Sequence, residues 1–422
     1  MKNNRTFLEK LLDGTEVEWK PLWSVTTWDK RFNAVEKEKQ PKVIKYHYYL
    51  ASELKPLIVD GGNVKLLTTN ESDIWTTEEL VQSNISEGEI IAIPWGGNPI
   101  VQYYKGKFVT ADNRIATSNN TKILDNKFLY YFLLSKLDVI SSFYRGSGIK
   151  HPSMYHVLEM LIPIPPLPVQ TEIVRILDAL TALTSELTSE LTSELTLRRK
   201  QYEYYREKLL SVDNLKLSTE NIQWVKLNDL GELIRGNGLQ KKDFTETGVP
   251  AIHYGQIYTY YGTFATETKS FVSPELAKKL KKVDCGDVVI TNTSENFEDV
   301  GKSMVYLGKE QAVTGGHATI FKPNHEKILS KYFVYLTQTS FFTNEKRKYA
   351  KGTKVIDVSA TDMAKIILPI PPLKEQQRIV SILDKFETLT NSITEGLPLA
   401  IEQSQKRYEY YRELLLNFPG KE

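Results

Sequence analysis

Apolar residues recur in steps of three and four along two stretches of this chain. The first set is Ile173, Ile176, Leu180, Leu183, Leu187, Leu191 and Leu195. The second is Ile379, Ile382, Phe386, Leu389, Ile393, Leu397 and Ile401, each residue 206 positions after its counterpart. Such steps predict two helices that each carry one apolar stripe. Both are framed by the same motifs. Ile162-Pro163-Ile164-Pro165-Pro166-Leu167 and Leu368-Pro369-Ile370-Pro371-Pro372-Leu373 precede them, and Tyr202-Glu203-Tyr204-Tyr205-Arg206 and Tyr408-Glu409-Tyr410-Tyr411-Arg412 close them. The constant offset marks an internal duplication with a period near half the chain.

The prolines, Pro168 included, predict extended hinges that bar the helix. From Val169 to Ser211 there is neither Pro nor Gly, so the first helix should form a rod about 60 Å long. Neither helix can bury its stripe alone. The simplest partner for each is the other, packed antiparallel because a continuous chain must return. Gly396 and Pro398 predict a bend in the second helix. In the first, the tetrad Thr184-Ser185-Glu186-Leu187 occurs twice more, through Leu195. Each four-residue step overshoots the helical turn by about 40°, so the stripe should drift there.

The flanking regions mix short strands, turns and short helices. Phe7–Leu12 reads as a short amphipathic piece closed by Asp13-Gly14. Glu89–Ile93 and Asp287–Ile290 read as equivalent strands, and residues 128–137 and 332–337 as helices. Trp19 matches Trp224, Val109-Thr110 matches Val313-Thr314, and Gly146-Ser147 matches Gly352-Thr353. The expected fold is therefore α+β. A first globular region (1–160) and a second (212–367) alternate with a proline hinge and long helix at 161–211 and again at 368–418. The helices are nearly copied and the globular regions have diverged, which suggests two similar frames presenting two different surfaces.

At 422 residues the chain exceeds one hydrophobic core. One cysteine, Cys285, excludes a disulfide framework and a thiolate zinc site, and suits a reducing cytoplasm. No apolar run is long enough to span a bilayer. A net charge of +2 leaves any phosphate-binding surface to local patches. There is no P-loop, no HExxH and no GxSxG, and Gly236-Asn237-Gly238 lacks the third glycine of a dinucleotide loop. Asn98-Pro99 is followed by Ile100, not by the Pro-aromatic pair of amino-methyltransferases.

Cationic, amide and aromatic residues interleave with Gly-rich turns in both globular regions, a pattern suited to nucleic acid. In the first, the candidates are Lys30, Arg31, Lys45, Trp95, Asn98, Arg114 and Arg145. In the second, they are Arg235, Lys241, Lys242, His253, Tyr254, Gln256, Asn296, Lys302, His317, Lys351 and Lys354. Tyr202 and Tyr205 continue the apolar stripe. Tyr204 and Tyr410 fall off it, which makes them, with Arg206 and Arg412, candidates for docking another protein.

The two proline motifs, Gln170 and Glu375-Gln376-Gln377 after them, Ile176-Leu177-Asp178 and Ile382-Leu383-Asp384, and the tyrosine clusters together resemble the specificity subunit of type I restriction–modification enzymes. The resemblance spans the chain. It implies two target-recognition domains that each read half of a bipartite site in double-stranded DNA. It further implies that the helices act as a spacer and dock methyltransferase subunits, two of them, with restriction subunits joining the assembly. No active site is implied on this chain; S-adenosylmethionine, ATP and Mg2+ would sit on the partners. Competing readings are a coiled-coil scaffold that binds only protein, and a self-sufficient methyltransferase or nuclease.

Overall fold

The proline motifs are paired strands rather than free hinges. In the computed structural model, which describes residues 6–219, 221–391 and 395–420, Leu161–Ile164 runs antiparallel to Glu18–Pro21, with Trp19 opposite Pro163. Ile367–Ile370 does the same with Gln223–Lys226, Trp224 opposite Pro369. A two-stranded ribbon has only edges, so a proline without an N–H is tolerated there. The expectation of extended backbone holds; that of a hinge does not. Pro168 does not bar the helix either. The first long helix spans Leu167–Leu210, and Pro168 falls in its first turn, where backbone N–H groups lack intrahelical partners anyway.

The chain forms two units, one from residues up to Thr188 with the chain from Gln403 onward, the other from Ser189–Glu402. The first unit is built on one six-stranded sheet. Its order is Thr26–Trp28, Asn113–Ser118, Ser86–Pro94, Gln102–Thr110, Val64–Leu67, Trp75–Thr76. The stretch Ile90–Ile93 is continuously apolar because both of its faces are covered. Ile91 and Ile93 meet Phe128, Leu129 and Phe132 of the helix Asn126–Ser135. Ile90 and Ala92 meet Leu67, Phe108 and Ile115. The second unit carries two five-stranded sheets instead. In one, Val288–Thr291 lies between Ala318–Pro323 and Ser303–Tyr306. Val288 and Ile290 pack on Tyr332 and Phe333 of the helix Ser330–Thr337, and Val289 packs with Met304 and Ile320.

The helices join the globular regions by the same contacts in both units. In the first, the buried Gln170 donates to the carbonyls of Ile123 (2.7 Å) and Pro165 (2.8 Å) and accepts from the Asp125 N–H (2.8 Å). In the second, Gln376 donates to Lys327 and Pro371 (2.9 Å each) and accepts from Leu329 (2.9 Å). Two turns further along, Asp178 binds Lys127 (2.8 Å) and Tyr131 (2.6 Å), and Asp384 binds Lys331 (2.8 Å) and Tyr335 (2.6 Å). Burial first, then Asp178 for Tyr131 and Glu387 with Asp384 for Tyr335, push both phenols well above the usual tyrosine range. Each globular region also receives the far end of the other long helical stretch. Leu415, Leu416 and Phe418 enter the first core, and Tyr202, Leu210 and Leu215 enter the second.

The helical stretches pack antiparallel within each unit. In the second, Arg199 reaches the Thr390 carbonyl (3.5 Å), and Tyr202 and Tyr205 lie against Phe386, ring centroids 6.4 and 5.5 Å apart. In the first, Thr181 meets Tyr408 (3.1 Å), while Ile173 and Leu177 share a core with Leu415 and Leu416. Two features depart from the sequence reading. The second helix is broken, not bent, into Leu373–Asn391 and Leu397–Leu416. Gly396 has φ +83°, and a Cβ there would lie 2.6 Å from the Thr388 carbonyl oxygen. Of the stripe residues, Ile393 lies outside the described residues. Leu183, just before the tetrads, and Leu187 are exposed, whereas Thr184 and Thr188 are half-buried; further along, Leu191 and Leu195 are again half-buried and Thr192 is exposed. A steady drift of four-residue steps does not account for this pattern, because Leu183 precedes those steps and Leu191 and Leu195 are again half-buried.

Candidate nucleic-acid interface

In the first unit the structure separates cations used for packing from cations left free. Arg114 is buried. It pairs with Asp112 (2.8 Å), donates to the Asn113 carbonyl (3.0 Å), and lies 4.1 Å over the Trp95 ring. It stiffens the end of the strand Ser86–Pro94 and presents no donor fork to a base. Arg31 donates to the Gln40 and Pro41 carbonyls (3.2 Å each), tying a loop. Lys30 covers the Tyr48 ring at 4.9 Å. Lys45, Asn98 and Arg145 are exposed. Trp95 is half-buried, its ring 5.3 Å from His151, whose Nδ1 donates to the Trp95 carbonyl (2.7 Å).

Sequence reasoning missed Asp29. Its buried carboxylate accepts from the Ile115 N–H (3.1 Å) and from the Tyr48 hydroxyl. Burial pushes its pKa up to about 6, against the opposing pull of that N–H, Arg114 and Lys30. An acid beside Lys30-Arg31 reads as surface charge in the sequence. Only the partner 86 positions away reveals its place.

In the second unit two neighbouring candidates meet a third far along the chain. His253 packs on Tyr254 (4.4 Å), and Tyr254 on His317 (5.0 Å). His317 is exposed and hydrogen-bonds Thr293 through Nδ1 (2.9 Å). His253 accepts from the Gly255 N–H (3.2 Å) as the cap of the helix Tyr254–Thr259. Burial, then His317 and Lys241, hold its imidazole below the usual range. Gly315 is glycine for a packing reason, since a Cβ there would lie 2.8 Å from that of Leu239. Arg235 donates to the Gly316 carbonyl (3.0 Å) and lies 3.8 Å from Asp357.

Other candidates in this unit serve the fold. Gln256 donates to Ser270 (2.6 Å) and caps the His253 N–H (3.3 Å). Asn296 shapes a turn by accepting from the Glu298 N–H (2.9 Å), and Lys302 pairs with Asp299 (2.7 Å). The same loop rests on a residue sequence reasoning missed. Lys346 is buried and donates to the carbonyls of Phe297 (3.2 Å), Glu298 (3.4 Å) and Val300 (2.5 Å). Burial lowers its pKa to about 8, with Lys302 adding to the effect. Lys351 pairs with Asp362 (2.9 Å) yet stays exposed, and Lys241, Lys242 and Lys354 are exposed.

The docking candidates divide as their helical phase requires. Tyr204 and Tyr410 are exposed. Arg206 faces inward, bonded to Gln338 (3.1 Å) and 5.3 Å over the Tyr202 ring. Arg412 covers Tyr408 at 5.6 Å. Among the described residues, no group of His, Cys, Asp and Glu side chains could hold a metal ion, and no helix is long and apolar enough to cross a membrane.

Comparisons with known proteins bear on this arrangement. The type I restriction modification DNA specificity domain matches residues 33–197 and again 219–403, so the duplication seen in the motifs is a duplication of one domain. A putative type I restriction enzyme specificity subunit of Haemophilus influenzae is 40% identical, with 99% of this chain and 100% of that protein covered. A type I restriction enzyme specificity subunit of Escherichia coli is 32% identical over 99% of this chain and 98% of its own. Among solved structures, a chain described under complex assembly and conformational transition of the type I restriction–modification system superposes with TM-score 0.59. It is 17% identical, with 95% of this chain and 98% of that chain covered. The HsdS subunit of Thermoanaerobacter tengcongensis superposes with TM-score 0.50 at 17% identity, covering 96% of each chain. These likenesses bear on fold.

Proposed function

The chain belongs to the type I restriction–modification DNA specificity family, and from that premise we propose that each globular region reads one half of a bipartite site in duplex DNA. The observation that carries this reading is the contrast inside the duplication. Two regions held by the same glutamine and aspartate contacts are built on different sheets and expose different polar sets. Asn98, Lys45 and Arg145 are exposed in the first; His317, Lys241, Lys242 and Lys354 are exposed in the second. Base edges are read by such amides and cations, and phosphates are held by the cations. Arg114, Arg31 and Gln256 are assigned instead to holding loops in place.

The antiparallel helices serve as the spacer, and exposed Tyr204 and Tyr410 serve as anchors for two methyltransferase subunits. Restriction subunits complete the complex in this reading. S-adenosylmethionine, ATP and Mg2+ belong to those partners, and the assembly works in the cytoplasm. Chemistry on the DNA is left to them, because specificity needs only contacts that differ between base sequences.

The experiment is methylome sequencing of the host with and without this gene. The reading expects loss of one bipartite methylated motif, two defined halves around an unspecified gap. An unchanged methylome in a host whose methyltransferase subunit is expressed would contradict it.

A further inference from the structure

Two exposed turns, one in each globular region, share one geometry. In the first unit, Tyr144–Arg145 and His151–Pro152 form a two-stranded ribbon around a Gly-Ser-Gly turn. In the second, Lys351 and Asp357 exchange both backbone hydrogen bonds (3.0 and 2.8 Å) around a Gly-Thr-Lys turn. Gly146 and Gly352 both have positive φ, +141° and +100°. A Cβ on Gly146 would lie 2.8 Å from the Ile149 carbonyl oxygen, and one on Gly352 would meet the Val355 carbonyl oxygen, the same relation three residues on. The turn geometry thus recurs at the 206-residue offset, although the globular regions around it have diverged.

What the turns present is also shared. Ile149 is 71% exposed and Val355 57% exposed. A single exposed aliphatic is ordinary. An exposed aliphatic at the same position of two diverged regions, among cations, is not explained by either core. Arg145 and Lys150 flank the first, Lys351 and Lys354 the second; residues 145–151 contain no carboxylate, the matching 351–357 contain only Asp357, which faces Arg235 at 3.8 Å, and Lys351 is paired with Asp362. Among the described residues, no side-chain hydrogen bond or ion pair holds Arg145, Lys150 or Lys354. The first ribbon is anchored to the rest of its region through Gly97, whose N–H donates to the Lys150 carbonyl (3.1 Å), and through His151. The second is anchored by pairing of Ile356–Asp357 with Thr293–Ser294. Both tips therefore stand on fixed backbone.

We propose that these turns are the elements that enter the DNA grooves, with Ile149 and Val355 each in apolar contact with a thymine C5-methyl and the flanking cations on the adjoining phosphates. A two-stranded ribbon fits the major groove, and the thymine methyl is the group there that an aliphatic side chain recognises. The assignment rests on the DNA-reading function proposed above.

The test uses the full chain assembled with its methyltransferase partner on a library of duplex targets. Ile149→Ala should relax discrimination about tenfold at one T·A pair of one half-site, the loss expected for a few buried methyl and methylene groups. Val355→Ala should do the same in the other half-site only. Deoxyuridine in place of that thymine should reproduce the loss with the unsubstituted chain and add nothing in the variant. Lys150→Gln and Lys354→Gln should weaken binding to all sequences alike and reduce the salt dependence by about one phosphate contact. Unchanged discrimination in both alanine variants, relaxation away from a T·A pair, or simultaneous loss at both half-sites would overturn the proposal. If the unsubstituted complex methylates no bipartite motif, the DNA-reading function fails with it. If it does and both alanine variants match it, only this inference fails.

Discussion

The two globular regions are attached alike and built differently. In both, a glutamine at the start of a long helix satisfies one carbonyl and one N–H of a loop and the carbonyl of a proline just before the helix, and an aspartate two turns on binds a Lys–Tyr pair. Yet the first region is one six-stranded sheet and the second is two of five. The attachments involve buried polar groups with fixed partners, where a substitution leaves donors and acceptors unsatisfied. The sheets need only fill their interiors with apolar residues, which many sequences can do. A duplicated chain can therefore keep its joints while its recognition surfaces part ways.

The comparison breaks most severely at the joints. Gln170→Leu and Gln376→Leu each strand three backbone groups, one buried and two part-buried, and each should cost about 2–3 kcal/mol. Because the joints are equivalent, the losses should be similar in size but confined to their own regions. Amide hydrogen exchange, read separately for residues around 123–125 and 327–329, checks this; equal loss of protection in both regions from one substitution would contradict it.

A smaller effect sharpens the contrast. Asp29 belongs to the first region alone, and burial raises its carboxyl to about 6. Between the ordinary value near 4 and about 6, the folded form binds more protons than the unfolded form. Stability of the first region should therefore fall as pH rises through that window, by about 2 kcal/mol. Asp29→Asn should remove the dependence without touching the second region. Region-resolved exchange at pH 4.5 and 7 is the measurement.

Gly396→Ala places a Cβ in left-handed backbone against the Thr388 carbonyl, at a cost of about 1–2 kcal/mol. The loss should appear in thermal unfolding and in exchange near residues 388–391, while the unbroken first helix is unaffected. The mildest change in stability is expected from deleting Thr188-Ser189-Glu190-Leu191. Four residues turn the stripe by only about 40° and remove about 6 Å of helix. The half-sites should stay the same and the methylated gap should shorten by one or two base pairs, at about 3.4 Å each. A deletion of two residues, which rotates the stripe away, should instead unfold the pair.

Much of the frame was legible because it repeats at one offset and follows helical periodicity. The strands around Ile91 and Val289 were legible as short apolar runs. The seam of the tetrads was not. Leu183 and Leu187 look like stripe residues when apolar positions are counted, yet they are exposed beside half-buried Thr184 and Thr188, while Leu191 and Leu195 of the same count are half-buried. The role of Gln170 was not legible either, because its partners lie 45 and 47 positions away and are backbone atoms. Among the candidate base readers, Arg114 and His253 fit the cation–aromatic pattern for a reason that composition cannot separate from recognition. A guanidinium stacked on Trp95 and an imidazole packed on Tyr254 are what a stiff loop needs.

The most direct test of the account is an exchange of one region. Residues 1–160 are replaced by the equivalent region of a relative with a different target, leaving the helices and their joints intact, and the host methylome is sequenced. Two surfaces carried independently on equivalent frames predict that one half of the methylated motif changes to the relative's while the other half and the gap remain. A change in both halves would contradict the account.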